Sequence, residues 1–136
     1  MTEKKEFKKI REILTREQTI PLAIVFGSLA SGQDTPKSDL DLAIAGEQAL
    51  LLDDMLKINA ALSAELGREV DLIDLHQAHG ALLQEILTRG VLLINVQPAL
   101  YEKFIKRMLA EKEDDSRVAA QAISERMRRW SRQTKR

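Results

Sequence analysis

Apolar residues along this chain fall into alternating blocks of helical and strand spacing. In residues 3–18, Phe7, Ile10, Ile13 and Leu14 recur three and four apart among Lys, Arg and Glu, which predicts an amphipathic helix with Thr2 available as N-cap. Pro21 ends that helix. Leu22-Ala23-Ile24-Val25-Phe26 follows as an unbroken apolar run with β-branched members, the pattern of a buried strand that delivers Gly27 and Ser28 to its end. Residues 29–38 have a loop composition with room for one helical turn directly after Ser28. Leu40, Leu42 and Ile44 then alternate with Asp39, Asp41 and Ala43, so a second strand turns its apolar side to the core and its acids outward. From Glu47 to Leu66 a stripe of Leu50, Leu51, Met55, Ile58, Leu62 and Leu66 predicts a helix that Gly67 terminates.

Glu69 to Leu75 reads as a third strand, with Val70, Leu72 and Asp74 on one parity and Asp71 and Ile73 on the other. Leu82, Leu83, Ile86 and Leu87 predict a short helix over 80–88, and Gly90 separates it from the strand-like Val91-Leu92-Leu93-Ile94-Asn95. Pro98 opens a long helical segment with Leu100, Phe104, Ile105, Met108 and Leu109, then Val118, Ala119, Ala122, Ile123, Met127 and Trp130. It is either one helix or two, broken in the polar stretch from Glu111 to Ser116. The fold class is therefore α/β (α+β), a single small mixed sheet flanked by helices. Residues 1–97 form the domain proper, and 98–136 form a C-terminal helical extension packed on the same domain or on a partner.

Composition narrows the function classes. The 136 residues suit one domain with one core, and hydrophobic and charged shares of 44% and 31% are ordinary for a globular protein. Lys plus Arg and Asp plus Glu both total 21, so no net field draws the chain to nucleic acid or membrane. There are no cysteines, which excludes disulfides and thiolate metal sites. No signal-like or membrane-spanning apolar run is present, and the cytoplasm is the expected compartment. Charge is uneven only at the end, where Arg126, Arg128, Arg129, Arg132, Lys135 and Arg136 surround Trp130 with no acid after Glu125. Such a tail suits contact with a partner protein more than stacking on an RNA base.

The chemistry concentrates between Phe26 and Leu42. Glycine at position 27 lets a phosphate approach the main chain closely, and Ser28 can offer hydroxyl and amide to it. After Ser28 and ten intervening residues come Asp39 and Asp41, two apart on a strand and so on one face, about 6–7 Å apart by strand rise. Two carboxylates so placed suit Mg²⁺, which takes a few carboxylates together with phosphate oxygens and water. A third carboxylate from a neighbouring strand would complete the site and take a proton from an incoming hydroxyl. Asp71 and Asp74 compete for that place, and strand parity leaves the choice open. His76 and His79 lie three apart after the third strand, but nothing elsewhere completes a histidine metal site, and ordinary hydrogen bonds suit them better.

Gly27-Ser28, Asp39-Leu40-Asp41 and a later strand-borne Asp71 resemble the nucleotidyltransferases of the DNA polymerase β-like superfamily. More narrowly, Ser38-Asp39-Leu40-Asp41-Leu42, Val70-Asp71-Leu72 and Gly90-Val91-Leu92-Leu93 resemble the minimal nucleotidyltransferase (MNT) antitoxins of HEPN-MNT toxin-antitoxin pairs, over roughly residues 18–97. That resemblance implies the polymerase β-like fold and a metal site at Asp39, Asp41 and Asp71 holding two Mg²⁺. Nucleotide contacts would come from Gly27, Ser28 and Ser38, and AMP would pass from ATP to a tyrosine of a cognate HEPN ribonuclease toxin. One departure is Ser31, which stands where many relatives carry Arg and implies a weaker grip on nucleotide. Two rival functions remain: transfer to a small-molecule hydroxyl, and a binding antitoxin with a vestigial site.

Overall fold

The computed structural model describes residues 4–112. Helix α1 spans Lys5–Glu17, and strand β1, Leu22–Phe26, leads into the four-residue helix α2, Ser28–Ser31. Strand β2, Leu40–Ala45, is followed by helix α3, Leu52–Leu66, and strand β3, Val70–Asp74. A 3₁₀ turn at Leu75–Gln77, helix α4 at Gly80–Arg89 and strand β4 at Val91–Asn95 complete the sheet region. A last helix, α5, runs from 98 to 112. The four strands lie in the order β3-β2-β1-β4, with β1 antiparallel to both neighbours and β2 parallel to β3.

Helices cover both faces of this sheet. On one face Ala23, Val25, Leu40, Leu42 and Ile44 pack against Phe7, Ile10, Ile13 and Leu14 of α1 and Ile58 and Leu62 of α3. On the other, Leu22, Ile24, Phe26, Ala43 and Ala45 meet Leu83 and Ile86 of α4 and Leu100 and Phe104 of α5. Small Ala side chains on this second face of β2 leave space for the aromatic ring of α5. Arg107 fastens α5 to the 3₁₀ turn, donating to the carbonyls of Leu75 at 2.7 Å and of Ala78.

Four expectations from the pattern need correction or placing. Helix α1 begins after Lys4, which occupies the N-cap position without a side-chain cap, and the expected cap Thr2 lies outside the described residues. Helix α3 starts at Leu52, five residues later than the stripe suggested, and Leu51 and Leu52 are 71% and 72% exposed. The cause is Asp74, whose carboxylate accepts the Leu50 N–H at 2.8 Å and holds residues before 51 in a non-helical path. Asp39 faces water as expected, whereas Asp41 is partly buried, because its face also carries buried Ala43 and Ala45 and packs against α4 and α5. Helix α5 continues unbroken through Lys112, while the rest of the expected break, Trp130 and the basic tail lie outside the described residues.

Candidate active site

The open end of the second face is where the candidate residues meet. β1 and β2 run antiparallel with Phe26 opposite Asp41, so the turn that leaves β1 sits beside the strand that carries the acid. β2 and β3 run parallel with Asp41 opposite Asp71, and residues directly paired in a parallel ladder point to the same side. Asp39, expected on the strand, lies one residue before β2 and is near enough to act on the Asp41 carboxyl. Two strand-borne carboxylates and one from the loop ahead of β2 therefore border one patch. Asp74 does not join them: it pairs with Ile44 on the other face, is 6% exposed, and accepts the N–H groups of Leu50 at 2.8 Å and His76 at 2.9 Å.

Gly27 links the turn and the acids directly. Its φ of 71° lies where side chains are strained, and a Cβ there would overlap Asp41 Oδ2 and lie 3.1 Å from its Cγ. Absence of that carbon is what lets the carboxylate stand against the turn. Ser28 starts α2, and the Ser31 N–H closes onto the Gly27 carbonyl at 3.1 Å. The amides of Ser28, Leu29 and Ala30 thus have no intrahelical acceptor at this turn. The hydroxyl of Ser31 turns back to the Ser28 carbonyl at 3.1 Å.

The loop into Asp39 is held from behind. Ser38 uses its hydroxyl within the loop, accepting the Thr35 N–H at 2.8 Å. Arg68, with a side chain only 7% exposed, donates to the carbonyls of Thr35 and Ser38 at 2.7 and 2.8 Å and forks onto Glu6 at 2.8 and 2.9 Å. Lys4 adds bonds to Asp34 at 2.9 Å and to the Leu29 carbonyl at 3.2 Å, and the Lys4 hydrogen bond keeps the Asp34 carboxyl below its ordinary range. Sequence periodicity assigns none of these residues to the site, since their roles arise only when α1, the loop and the start of β3 meet.

Electrostatically the patch is overloaded with negative charge. Burial pushes the Asp41 carboxyl above its usual range, and Asp71, Asp39 and Glu85 push it further. Glu85 and Arg89, one turn apart on α4, line a cleft of about 330 Å³ with Gly27, Ser28, Ser31 and Gln33. The helix was legible from its apolar positions, but the pattern gave no sign that its polar side overhangs the turn. Among the described residues no three acids or histidines close into a metal cage by themselves. An open acidic patch beside an anion-binding turn still fits Mg²⁺, which completes its shell with phosphate oxygens and water. The two histidines are occupied elsewhere: His76 Nε2–H donates to the Gly46 carbonyl and His79 Nδ1–H to Glu111, both at 2.8 Å. A broader groove of about 580 Å³ runs along Lys8, Arg11, Glu12, Thr15 and Arg16 of α1 and shares no residue with the acidic cleft.

This arrangement can be set beside known proteins. The protein adenylyltransferase MntA of Shewanella oneidensis is 27% identical over 124 residues, covering 91% of this chain and 76% of that protein. A chain from a crystal structure of a toxin-antitoxin with AMP-PNP superposes with a TM-score of 0.74 at 25% identity, covering 89% of this chain and 98% of that one. The fold also recurs, with a TM-score of 0.69 at 23% identity over 90% of this chain and 96% of the other, in the structure of a tri-AMPylated Shewanella oneidensis HEPN toxin in complex with its MNT antitoxin. No helix among the described residues is long and apolar enough to cross a membrane. Residues 8–99 match the family described as Polymerase beta, Nucleotidyltransferase, and the chain belongs to that family.

Proposed function

We propose that this chain is an MNT antitoxin that transfers AMP from ATP to a tyrosine hydroxyl of a cognate HEPN toxin and thereby silences it. The observation that carries the reading is the strand register, with Asp41 opposite both Asp71 and Phe26, the residue before the Gly27–Ser28 turn, and Asp39 one residue ahead of β2. The name of the protein adenylyltransferase MntA supports a protein acceptor, and the toxin-antitoxin with AMP-PNP supports an adenine nucleotide as donor.

In this reading the Ser28 hydroxyl and the free amides after Gly27 hold the β and γ phosphates. The acceptor oxygen attacks the α phosphorus, the bond from that phosphorus to the bridging oxygen breaks, and pyrophosphate leaves. Asp71, exposed at the edge of the patch, takes the proton from the acceptor hydroxyl. Asp39 and Asp41 are the residues to hold two Mg²⁺, which when bound offset the charge on the phosphates and on the attacking and leaving oxygens. Ser38 contributes through the shape of its loop. Compression of negative charge around Asp41 disfavours the empty patch, and a cation relieves it.

The test is transfer of label from α-labelled ATP with Mg²⁺ to proteins of the source-cell lysate. One labelled protein band that disappears with Asp39→Asn/Asp41→Asn is expected, with a loss of at least about a thousandfold in transfer. Label on small molecules alone would move the acceptor to a small hydroxyl compound. Absence of any acid-dependent label would leave a binding antitoxin that works by occlusion.

A further inference from the structure

We infer that Arg89 is a binding residue for the terminal phosphates of the nucleotide, reaching them from α4 across the cleft from the Gly27–Ser28 turn; this rests on the nucleotidyl-transfer reading above. Arg89 is the one cationic side chain among the described residues that line the cleft with Gly27, Ser28, Ser31, Gln33 and Glu85. It is exposed and makes no ion pair or hydrogen bond among the described residues, although Glu85 stands one turn away on the same helix. The other arginine near the site, Arg68, is consumed by Glu6 and two carbonyls. Arg89 therefore keeps its full donor set for a ligand.

Its position is fixed by the residue that follows it. A Cβ on Gly90 would overlap Ile24 Cγ2 and the Ile86 carbonyl and lie 3.1 Å from the Val25 carbonyl, so the chain can pass this close to β1 only as glycine. β4 then pairs with β1 from Val91 opposite Val25. The end of α4 is thus pinned next to the end of β1, two residues short of Gly27. A nucleoside triphosphate carries several negative charges into a patch that already holds Asp39, Asp41, Asp71 and Glu85. A planar guanidinium suits two phosphate oxygens at once and cannot lose its proton, which makes it the group expected at the far end of the polyphosphate. Gln33, which also lines the cleft, adds amide donors. The consequence is selectivity: phosphates beyond the α position are held by Arg89, and a monophosphate is not.

The experiment is calorimetric titration of the full chain, with Mg²⁺, using an ATP analogue carrying a methylene between the α and β phosphorus atoms, and AMP in parallel. Arg89→Ala should weaken the triphosphate analogue by about tenfold or more and AMP by less than about twofold, with Arg89→Lys in between. Since Arg89 is exposed, its variants should melt with the unaltered protein. Binding of the analogue by Arg89→Ala within about twofold of the unaltered protein would overturn the inference and leave the functional reading standing. So would equal loss for the analogue and AMP, which would place Arg89 away from the outer phosphates. If the unaltered protein binds no analogue, both the inference and the reading beneath it fall.

Discussion

Asp71 and Asp74 sit three residues apart on one short strand and have opposite fates. Asp74 is turned into the face shared with α1 and α3, where both of its oxygens are used by main-chain N–H groups. Asp71 is turned to the other face, pairs with Asp41 and stays exposed. The same contrast separates two arginines: Arg68 is buried in bonds to Glu6 and the loop before Asp39, whereas Arg89 is left open at the cleft. Charges already spent on the protein's own main chain build the frame, and charges left unspent at an open end are available for chemistry.

The sharpest way to break this contrast is to exchange the two acids as targets. Asp71→Asn should lower transfer by about a hundredfold or more, since a proton acceptor is lost, while leaving the melting temperature nearly unchanged. Asp74→Ala should do the reverse. It leaves two half-buried N–H groups without acceptors and should cost about 2 kcal/mol, on the order of 5–10 °C in melting temperature. Equal loss of stability from both would refute the division. Arg68→Ala tests the cationic half. Stripping the partner from Glu6 and from the Thr35 and Ser38 carbonyls should cost about 2–3 kcal/mol in chemical denaturation and slow transfer through a loosened Asp39 loop.

Much of this frame is legible in the residue pattern. β1 coincides with its apolar run because a strand buried on both faces needs no interpretation of parity, β4 coincides with its run between Gly90 and the turn after Asn95, and Gly67, with φ 65°, ends α3 as its position suggests. What one strand cannot reveal is its neighbour. The choice between Asp71 and Asp74 depends on the β2–β3 register, a contact between segments about thirty residues apart. The late start of α3 is a failure of the same kind, since the Leu50 N–H is taken by an acid two dozen residues further on. Arg89 was hidden for a different reason: its helix was identified by its buried side, and a polar residue on the outer side has no periodicity to mark it.

A smaller effect separates an unspent acid from a merely exposed one. Asp41 is crowded by Asp71, Asp39 and Glu85 in a partly buried position, so its charge works against the metal-free fold. Asp41→Asn should therefore stabilise the metal-free protein slightly, by an amount on the order of 0.5 kcal/mol, and raise its melting temperature, while abolishing transfer. Added Mg²⁺ should stabilise the unaltered protein and leave the variant where it was. A variant that melts lower than the unaltered protein without metal would show that Asp41 belongs with Asp74 among the frame residues.

The mildest case is a spent charge at the surface. Glu111 on α5 accepts His79 Nδ1–H at 2.8 Å and the Gly80 N–H at 2.9 Å, joining α5 to the start of α4. These bonds, the His79 one foremost, hold the Glu111 carboxyl below its ordinary value of 4.5. A carboxyl depressed in the folded state binds its proton more weakly there than in the unfolded chain. Its contribution is therefore present in full above the ordinary value and is lost as pH falls from there through the depressed one. Glu111→Gln should cost no more than about 1 kcal/mol near neutrality, and the gap between variant and unaltered protein should close on acidification. Because neither Glu111 nor His79 lines the cleft, the variant should leave transfer rates within about twofold. A gap that stays constant down to pH 3 would mean that the Glu111 charge contributes nothing, and that α5 is held by Leu100, Phe104 and Arg107 alone.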